Sequence, residues 1–370
     1  MIAALDPARQ DVEISHLAIE VLTPPIAVHL AYVVGFARTL GVPRTADRIW
    51  RDGKGDQILA PVRRDRDTLT FFGEFIRRGY LTGEAQAIFD RVQTIHRQVG
   101  GVTNDAQVHV LGCLIYEPFR VAEHFGQPNW FCPAAKDAWF SFWQGVARGM
   151  RLRRVPPTDL QFTGWMDEYE AREFKLSHAA TESTEALIRG WATRFPAPLK
   201  SIARAVFIDA LADHVRQILG YHQPSPALTT QVRRAVDLYA KANRRRPLPL
   251  NRTLVSSFSR VGPNPDYETL VTNPRPARAD SHLVKPEVAC EQGPLSELLD
   301  AVLASGQFRV AEERAGEAPH PALTTAKDPR QRVEHSMSQL NRHLCIQEGP
   351  QPALSPESFG PRPEITEQRV

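Results

Sequence analysis

The spacing of apolar residues constrains what this 370-residue chain can fold into more than any other feature of its sequence. Across the first two thirds, apolar side chains recur every three or four residues, which is the period of an amphipathic helix. No run of alternating β-branched residues is long enough to predict a sheet. The sequence therefore predicts an all-α fold, with a single large helical domain over residues 10–245.

Three helices are predicted with defined positions. The first covers residues 84–99, with Thr82 as its N-cap. The second covers about residues 105–124, and the third begins after Cys132-Pro133. Later amphipathic segments lie near residues 160–174, 182–195, 198–219 and 229–242.

The character of the sequence changes after residue 246. Proline, serine, asparagine and charged residues dominate, and such a segment buries too little apolar surface to offset the entropy lost on ordering. The spacing of leucines predicts one short helix over residues 295–305. We expect residues 250–370 to form a Pro-rich, largely disordered tail.

Composition and charge argue against several classes of protein. Lysine and arginine number 45 and aspartate and glutamate 42, a net charge of +3 that is small for a dedicated nucleic-acid binder. The longest apolar stretch, residues 26–40, contains His29 and Arg38 and falls short of the roughly 18 uncharged residues of a membrane span. No secretory signal is recognised. We expect a soluble cytoplasmic protein, for which weak contact with an anionic membrane surface stays open.

His96 is the first candidate for chemistry. It lies on the apolar stripe of the helix predicted over residues 84–99, among Val92, Ile95 and Val99. A neutral imidazole there can donate to a carbonyl inside the core, or it can bind a haem iron through one nitrogen. Spacing alone leaves both interpretations open, and a core histidine is the commoner of the two.

Arg64 and Thr68 lie four residues apart and would share one face of a helix. The arginine offers a planar fork of donors and the threonine one hydroxyl, a pair that can hold an oxygen species or a carboxylate in a dry pocket. The alternative is a surface arginine in the charged run at residues 63–67. From the residues alone, the surface arginine is the simpler interpretation.

Glu117 is a carboxylate on a helix that is otherwise apolar, so it is either paired or functional. Arg120 lies three residues further on and is a ready partner. A structural ion pair and a catalytic base both fit this position, and the ion pair is the commoner arrangement.

The order of these residues along the chain carries more information than any of them alone. The chain reads RRDRDT at 63–68, IHRQVGGVTNDAQVHVLGCLIYEPFR at 95–120, FWQGVARGMRLRRVPPT at 142–158 and WMDEYE at 165–170. This ordered set resembles the mpaB-type oxygenases, which share a catalytic domain with the rubber oxygenases (latex-clearing proteins). The resemblance covers about residues 10–245 and rests on the whole set, since no single motif is specific.

The resemblance implies a globin-like helical core that holds one haem b. It also implies O₂-dependent cleavage or oxygenation of an alkene in a small hydrophobic, isoprenoid-type substrate. His96 would be the iron ligand, and Arg64 and Thr68 would act in the distal pocket. Glu117 matches a recurring position of the family and is kept as a third catalytic candidate.

Several further residues are candidates for the same pocket. Arg38, Arg97 and Arg148 flank apolar stripes and are the candidates to bind the haem propionates. His109 could face the pocket, although a surface position is the simpler expectation. Five aromatic residues are candidates for a substrate wall and equally for ordinary core packing: Phe71, Phe72, Trp139, Phe142 and Trp143.

The chain also departs from the family. It shows neither the membrane anchor of the fungal members nor the signal of the secreted rubber oxygenases, so an extracellular polymer is not the expected substrate. Two rivals stay open, a haem protein without oxygenase activity, such as a sensor or carrier, and a helical interaction protein without a cofactor. A carboxylate-bridged di-iron enzyme ranks lower, because it usually needs a Glu-x-x-His motif from each of two helices and no two predicted helices of this chain carry one.

Overall fold

The computed structural model describes residues 2–244, 248–254 and 267–272. Every regular element within these ranges is helical, and no strand occurs among them. These ranges all fall within one compact unit, Met1–Ser305. The all-α prediction is therefore confirmed for this part of the chain, whereas the globin-like character of the core stays a prediction.

The helices follow one another with short connections. The first, α1, continues directly into a π-helical segment, His16–Leu22, and three single 3₁₀ turns lie elsewhere. In chain order the α-helices of the described residues are α1 (Asp11–Ser15), α2 (Pro25–Thr39), α3 (Pro43–Trp50), α4 (Asp56–Leu59), α5 (Pro61–Arg78), α6 (Gly83–Gln98), α7 (Asn104–His124), α8 (Pro133–Gly149), α9 (Asp159–Glu173), α10 (His178–Ala192), α11 (Lys200–Ala210), α12 (Asp213–Ile218), α13 (Pro226–Arg244) and α14 (Tyr267–Thr272).

The three helices predicted with defined positions are confirmed as α6, α7 and α8. The hydroxyl of Thr82 accepts a hydrogen bond from the backbone N–H of Ala85 at 3.1 Å, so this predicted cap is present. Thr103 caps α7 in the same way, through the N–H of Ala106 at 3.3 Å. The helix starts were predictable because capping depends only on neighbouring residues.

The segment predicted as one helix over residues 198–219 is two helices, α11 and α12. Leu211 and Ala212 have extended backbone conformations between them. Two arginine side chains take the carbonyls at the break: Arg120 donates to the carbonyl of Ala210, and Arg216 donates to that of Leu211 at 3.2 Å. Because Arg120 comes from α7, spacing within the segment could not predict the break.

Helix α7 runs through the middle of the packing. It lies along α2 and also contacts α8 and α9, while α8 packs against α1 and α6. Helix α10 contacts α2 and also α3, α5 and α11. The side chains of Trp139, Phe142 and Trp143 on α8 are fully buried against this core, as the core interpretation of these aromatics expects.

Pro118 lies inside α7 without ending it. A proline has no N–H, so the carbonyl of Leu114, four residues earlier, loses its helical partner. The indole N–H of Trp139 donates to this carbonyl at 3.1 Å, in a fully buried position. A side chain from α8 thus replaces a backbone hydrogen bond of α7 and fixes the two helices against each other.

Two pieces of the predicted tail pack against the helical body. The guanidinium of Arg252 donates to the carbonyls of Glu20, Val21 and Thr23, at the end of the π-helical segment. The buried Leu254 donates its N–H to the Glu20 carboxylate. Further on, α14 packs against α6.

The remainder of the tail lies outside the described residues. This applies to residues 255–266 and to everything after residue 272, which includes the helix predicted over residues 295–305. The tail over residues 250–370 and the domain boundary before it therefore stay predictions.

No single helix of the described residues is long and apolar enough to cross a membrane. In that part of the chain, one bent pair passes the length and composition test when its members are taken together. It consists of Asp11–Leu22 and Pro25–Thr39, which meet at an angle of 111°.

The Trp139–Leu114 hydrogen bond predicts a specific loss of stability. In the variant Trp139→Phe the buried carbonyl of Leu114 is left without a partner, and we expect the free energy of unfolding to fall by about 1–3 kcal/mol. Urea denaturation followed by circular dichroism measures the change. The half-buried Trp165 gives the control, because Trp165→Phe removes an indole N–H that has no hydrogen bond among the described residues.

A double variant isolates the cause. In a Pro118→Ala background, the restored N–H of residue 118 can donate to Leu114, so Trp139→Phe should cost less than it does in the original chain. An equal cost in both backgrounds would mean that ring packing, and not the hydrogen bond, carries the effect.

Candidate functional site

Arg64 and Thr68 lie one turn apart on α5, as their spacing predicts. The guanidinium of Arg64 donates to the hydroxyl of Thr68, which in turn donates to the Arg64 carbonyl at 2.9 Å. The same guanidinium lies over the ring of Phe36 on α2, 4.3 Å from its centre, in a cation–π contact. Both side chains are half-buried, so the surface-arginine interpretation does not describe them.

His96 lies in the last turn of α6, partly buried. Its Nδ1 is 3.1 Å from the amide oxygen of Gln107 on α7. Its Nε2 has no hydrogen-bond partner among the described residues. The apolar neighbours Val92, Ile95 and Val99 are half-buried, so the stripe that carries His96 is not sealed inside the core.

The surroundings of His96 favour the neutral imidazole. Burial lowers the pKa of His96 below its ordinary value of 6.5, the hydrogen bond to Gln107 opposes this, and the positive charge of Arg64 lowers the pKa further. An uncharged ring with one free nitrogen is the form of histidine that binds a metal. The charge of Arg64 on α5 therefore acts on the His96 ring on α6. We refer to His96, Arg64 and Thr68 as the His96 site.

Arg97 follows His96 directly but is exposed, and it donates to the hydroxyl of Thr94 at 2.9 Å on the outer face of α6. Although Arg97 is next to His96 in the sequence, its side chain is bonded to Thr94 and not directed to Nε2 of His96 by any observed contact. Its predicted role in binding a propionate stays a prediction.

Arg38 and Glu117 belong to a second, buried group. Both oxygens of the Glu170 carboxylate accept hydrogen bonds from Arg38, at 2.6 and 3.0 Å. Arg38 also donates to Glu117 at 2.8 Å. This group, which we call the Glu170 network, consists of Arg38 on α2, His109, Glu117 and Arg120 on α7, Glu170 on α9 and His214 on α12.

Glu117 is fully paired within this network. One oxygen accepts from Arg38, and the other accepts twice from Arg120, at 2.8 and 2.5 Å. Burial would raise the pKa of Glu117, but the charges of Arg120 and Arg38 outweigh burial and hold the pKa below its usual range. These contacts support the ion-pair interpretation from the sequence, and a catalytic role for Glu117 stays a prediction. The same pairing occupies Arg38, whose role toward a propionate also stays a prediction.

The expectation that His109 lies at the surface is wrong. The side chain is only 1% exposed, and its Nε2 is 2.7 Å from the Glu170 carboxylate. The signal was present in the sequence, because His109, Cys113 and Glu117 follow one another at four-residue spacing along an apolar helix. A polar row of this kind on an apolar helix predicts an internal hydrogen-bond network. The sequence did not indicate its partner, Glu170 on α9.

Glu170 is the acceptor on which the network centres. Burial would raise its pKa, but hydrogen bonds from His109, His214 and Arg38 outweigh burial and hold the pKa well below the usual range. Burial likewise keeps the pKa of His109 low, so the ring is neutral. The negative charges of Glu117 and Glu170 are therefore balanced by the positive charges of Arg38 and Arg120.

A smaller buried group joins α5 to α2 and to the turn that follows α10. Asp65, the neighbour of Arg64, accepts hydrogen bonds from His29 at 2.8 Å and from Arg194 at 3.3 Å. The charged run at residues 63–67 is thus divided, with Asp65 turned inward and Arg63 exposed. This inward contact fixes the rotation of α5 and with it the direction of Arg64.

No three histidine, cysteine, aspartate or glutamate side chains are placed to hold a metal ion together in the part of the chain that the structure describes. A carboxylate-bridged di-iron centre has no ligand set there. A metal held by a single histidine, as in a haem protein, needs no such cluster.

The fold and the His96 site define an all-α protein in which a neutral histidine on α6 is under the influence of a cationic side chain on α5. The chain belongs to the family described as ER-bound oxygenase mpaB/B'/Rubber oxygenase, catalytic domain, whose model matches residues 42–242. Membership of an oxygenase family indicates an oxidoreductase. Among curated proteins, no match was found.

The Glu170 network predicts a pH-dependent loss of stability. In Glu170→Gln, Arg38 loses half of its buried partners, and we expect the free energy of unfolding to fall by about 3 kcal/mol at neutral pH. The folded-state pKa of Glu170 is lowered, so the stability that its charge contributes is complete above the ordinary value of 4.5 and is lost as the pH falls below it. The difference between the two proteins should therefore shrink below about pH 4.5.

Chemical denaturation between pH 3 and pH 8 measures this difference. The exposed Glu168 on the same helix gives the control, since Glu168→Gln should change the stability little at any pH. A difference between Glu170→Gln and the original chain that stays constant across the acid range would contradict the assignment of a lowered pKa.

Proposed function

We propose that this protein is a haem b-dependent oxygenase in which His96 is the iron ligand. The observation that carries the proposal is the state of the His96 ring, which has Nδ1 bonded to Gln107, no protein hydrogen bond to Nε2 among the described residues, and the charge of Arg64 acting on it. A core histidine would have both nitrogens satisfied by protein or water. The family match adds the oxygenase class.

The residues present fit a haem. Its iron takes a neutral imidazole nitrogen, and the lowered pKa keeps His96 neutral at physiological pH. The half-buried Val92, Ile95 and Val99 offer apolar surface at the same helix face for the porphyrin. When bound, the haem would supply the O₂ chemistry.

Arg64 and Thr68 would be the residues that orient and polarise the reacting O₂. Arg64 is held on two sides, by the hydroxyl of Thr68 and by the ring of Phe36, so its guanidinium has little freedom. Donors fixed in advance stabilise developing negative charge without paying for reorganisation. Arg64 would supply charge and N–H groups, and the Thr68 hydroxyl would hold the guanidinium in position.

The substrate that this arrangement favours is a small apolar alkene of the isoprenoid type. The half-buried Phe71 and Phe72 on α5 pack against the apolar core, and Phe72 stacks on Tyr32 of α2 with ring centres 5.0 Å apart. Such a surface binds hydrocarbon and offers little to a polar substrate. The cytoplasmic location stays a prediction from the sequence.

The first test concerns the iron ligand. The variant His96→Ala should lose stoichiometric haem, because no second free imidazole replaces the nitrogen at this site. Titration with haem and the Soret absorbance measure the binding. The matched control is His222→Ala, which removes an exposed histidine and should keep full binding. Full haem retention by His96→Ala would remove this residue as the ligand.

The second test concerns the distal pair. The variants Arg64→Met and Thr68→Val should retain haem and lower oxygen consumption with an isoprenoid alkene by about 100-fold and 10-fold, since preorganised donors contribute at this scale. Arg63→Met gives the control, because Arg63 is the exposed neighbour of Arg64.

Unchanged turnover in both distal variants would contradict their assigned role. A wild-type protein that binds haem but consumes no oxygen with any alkene would instead be a sensor or carrier. A wild-type protein without a Soret band after titration with haem would favour a helical interaction protein.

A further inference from the structure

Gln93 and Gln107 lie on the Nδ1 side of His96 and are hydrogen-bonded to each other. The amide nitrogen of Gln93 on α6 donates to the carbonyl of Met150 at 2.9 Å and to the amide oxygen of Gln107 at 2.9 Å. The amide nitrogen of Gln107 donates to the carbonyl of Val102 at 3.1 Å. The oxygen of Gln107 is then the atom that faces Nδ1 of His96.

These contacts fix the direction of the Gln107 amide. A backbone carbonyl only accepts, so the atom of Gln107 that faces Val102 is its nitrogen. A flipped amide would place its oxygen against the Val102 carbonyl and its NH₂ group against the NH₂ group of Gln93, which are two repulsive contacts. The oxygen of Gln107 can only accept, so Nδ1 of His96 carries the proton.

We propose that Gln107 is a positioning residue that holds the His96 proton on Nδ1 and leaves the lone pair of Nε2 available for a ligand. Free histidine favours the opposite tautomer, with the proton on Nε2, and that form cannot bind a metal through this nitrogen. Gln107 thus prepares the ring before any ligand arrives. Gln93 supports it by filling the second acceptor position of the Gln107 oxygen.

The partner of His96 is a neutral amide and not a carboxylate, and this affects the properties of a bound iron. This part of the inference rests on the proposed haem function. A carboxylate behind a metal-bound histidine raises the basicity of the ligand, and an amide oxygen is neutral and does so less. The Gln107 amide therefore leaves His96 a weaker electron donor than a carboxylate would. An iron held by such a ligand has a higher reduction potential and is more readily kept reduced.

The first experiment needs no haem. Histidine labelled with ¹⁵N in the full chain reports which ring nitrogen is protonated, and His96 is assigned by its loss in His96→Gln. We expect the Nδ1–H tautomer in the wild type and a shift toward Nε2–H in Gln107→Leu. The control is the exposed Gln98, the last residue of α6, which also carries His96. The variant Gln98→Leu should leave the tautomer of His96 unchanged.

Leucine is the better replacement because of the surroundings. A cleft of about 410 Å³, open to solvent, is lined by Gln93, Gln107 and Arg97 among others. A smaller residue at position 107 would admit a water that could accept the Nδ1 proton in place of the amide. A proton on Nε2 in the wild type, or an unchanged tautomer in Gln107→Leu, would overturn the assignment.

The second experiment uses the chain loaded with haem. Gln107→Glu should move the Fe(III)/Fe(II) midpoint potential to more negative values, and Gln107→Leu should bind haem about 10- to 100-fold more weakly. An unmoved potential in Gln107→Glu, with the Soret band intact, would overturn the tuning role. If the wild type takes up no haem, the proposed function and the tuning role fail together, and the tautomer experiment still decides whether Gln107 positions His96.

Discussion

The ion pairs of the Glu170 network are the constraint on which the rest of the structure depends. Arg38, Glu117 and Glu170 come from three different helices, and His214 adds a fourth. Buried charges of this kind contribute little net stability, but leaving one of them unpaired is costly. Alternative packings of these helices would each leave a charge without its partner. The network therefore selects one arrangement of α2, α7, α9 and α12 rather than merely strengthening it.

That arrangement in turn determines the geometry of the His96 site. Helix α2 carries Arg38 toward the network and, two residues earlier and on another face, Phe36 under the guanidinium of Arg64. Helix α7 carries His109 toward Glu170 and, two residues earlier, Gln107 toward His96. The two helices that meet in the network thus hold both sides of the site. A site built on packed helices is positioned more accurately than one built on loops.

Local features of this fold were predictable from the sequence, and features that need a distant partner were not. Helices α6 and α7 begin at threonine caps and α8 begins at a proline, and such signals involve only neighbouring residues. The break between α11 and α12 depends on Arg120, and the burial of His109 depends on Glu170, far away in the chain. At the site, the family resemblance grouped His96 with Arg64 and Thr68, but nothing in it indicated Gln107. A glutamine has no charge or rare chemistry that would single it out in a sequence.

The contacts of Arg252 show that the packed structure extends beyond the last residue that the family model matches. The family model ends at residue 242, yet Arg252 binds three carbonyls at the end of the π-helical segment, and Leu254 is buried beside them. A polypeptide cut at residue 242 would expose those carbonyls and leave the Glu20 carboxylate without the N–H of Leu254. Its N-terminal helices would then fray first, so a soluble but easily proteolysed fragment would reflect the cut and not the intrinsic stability of the fold.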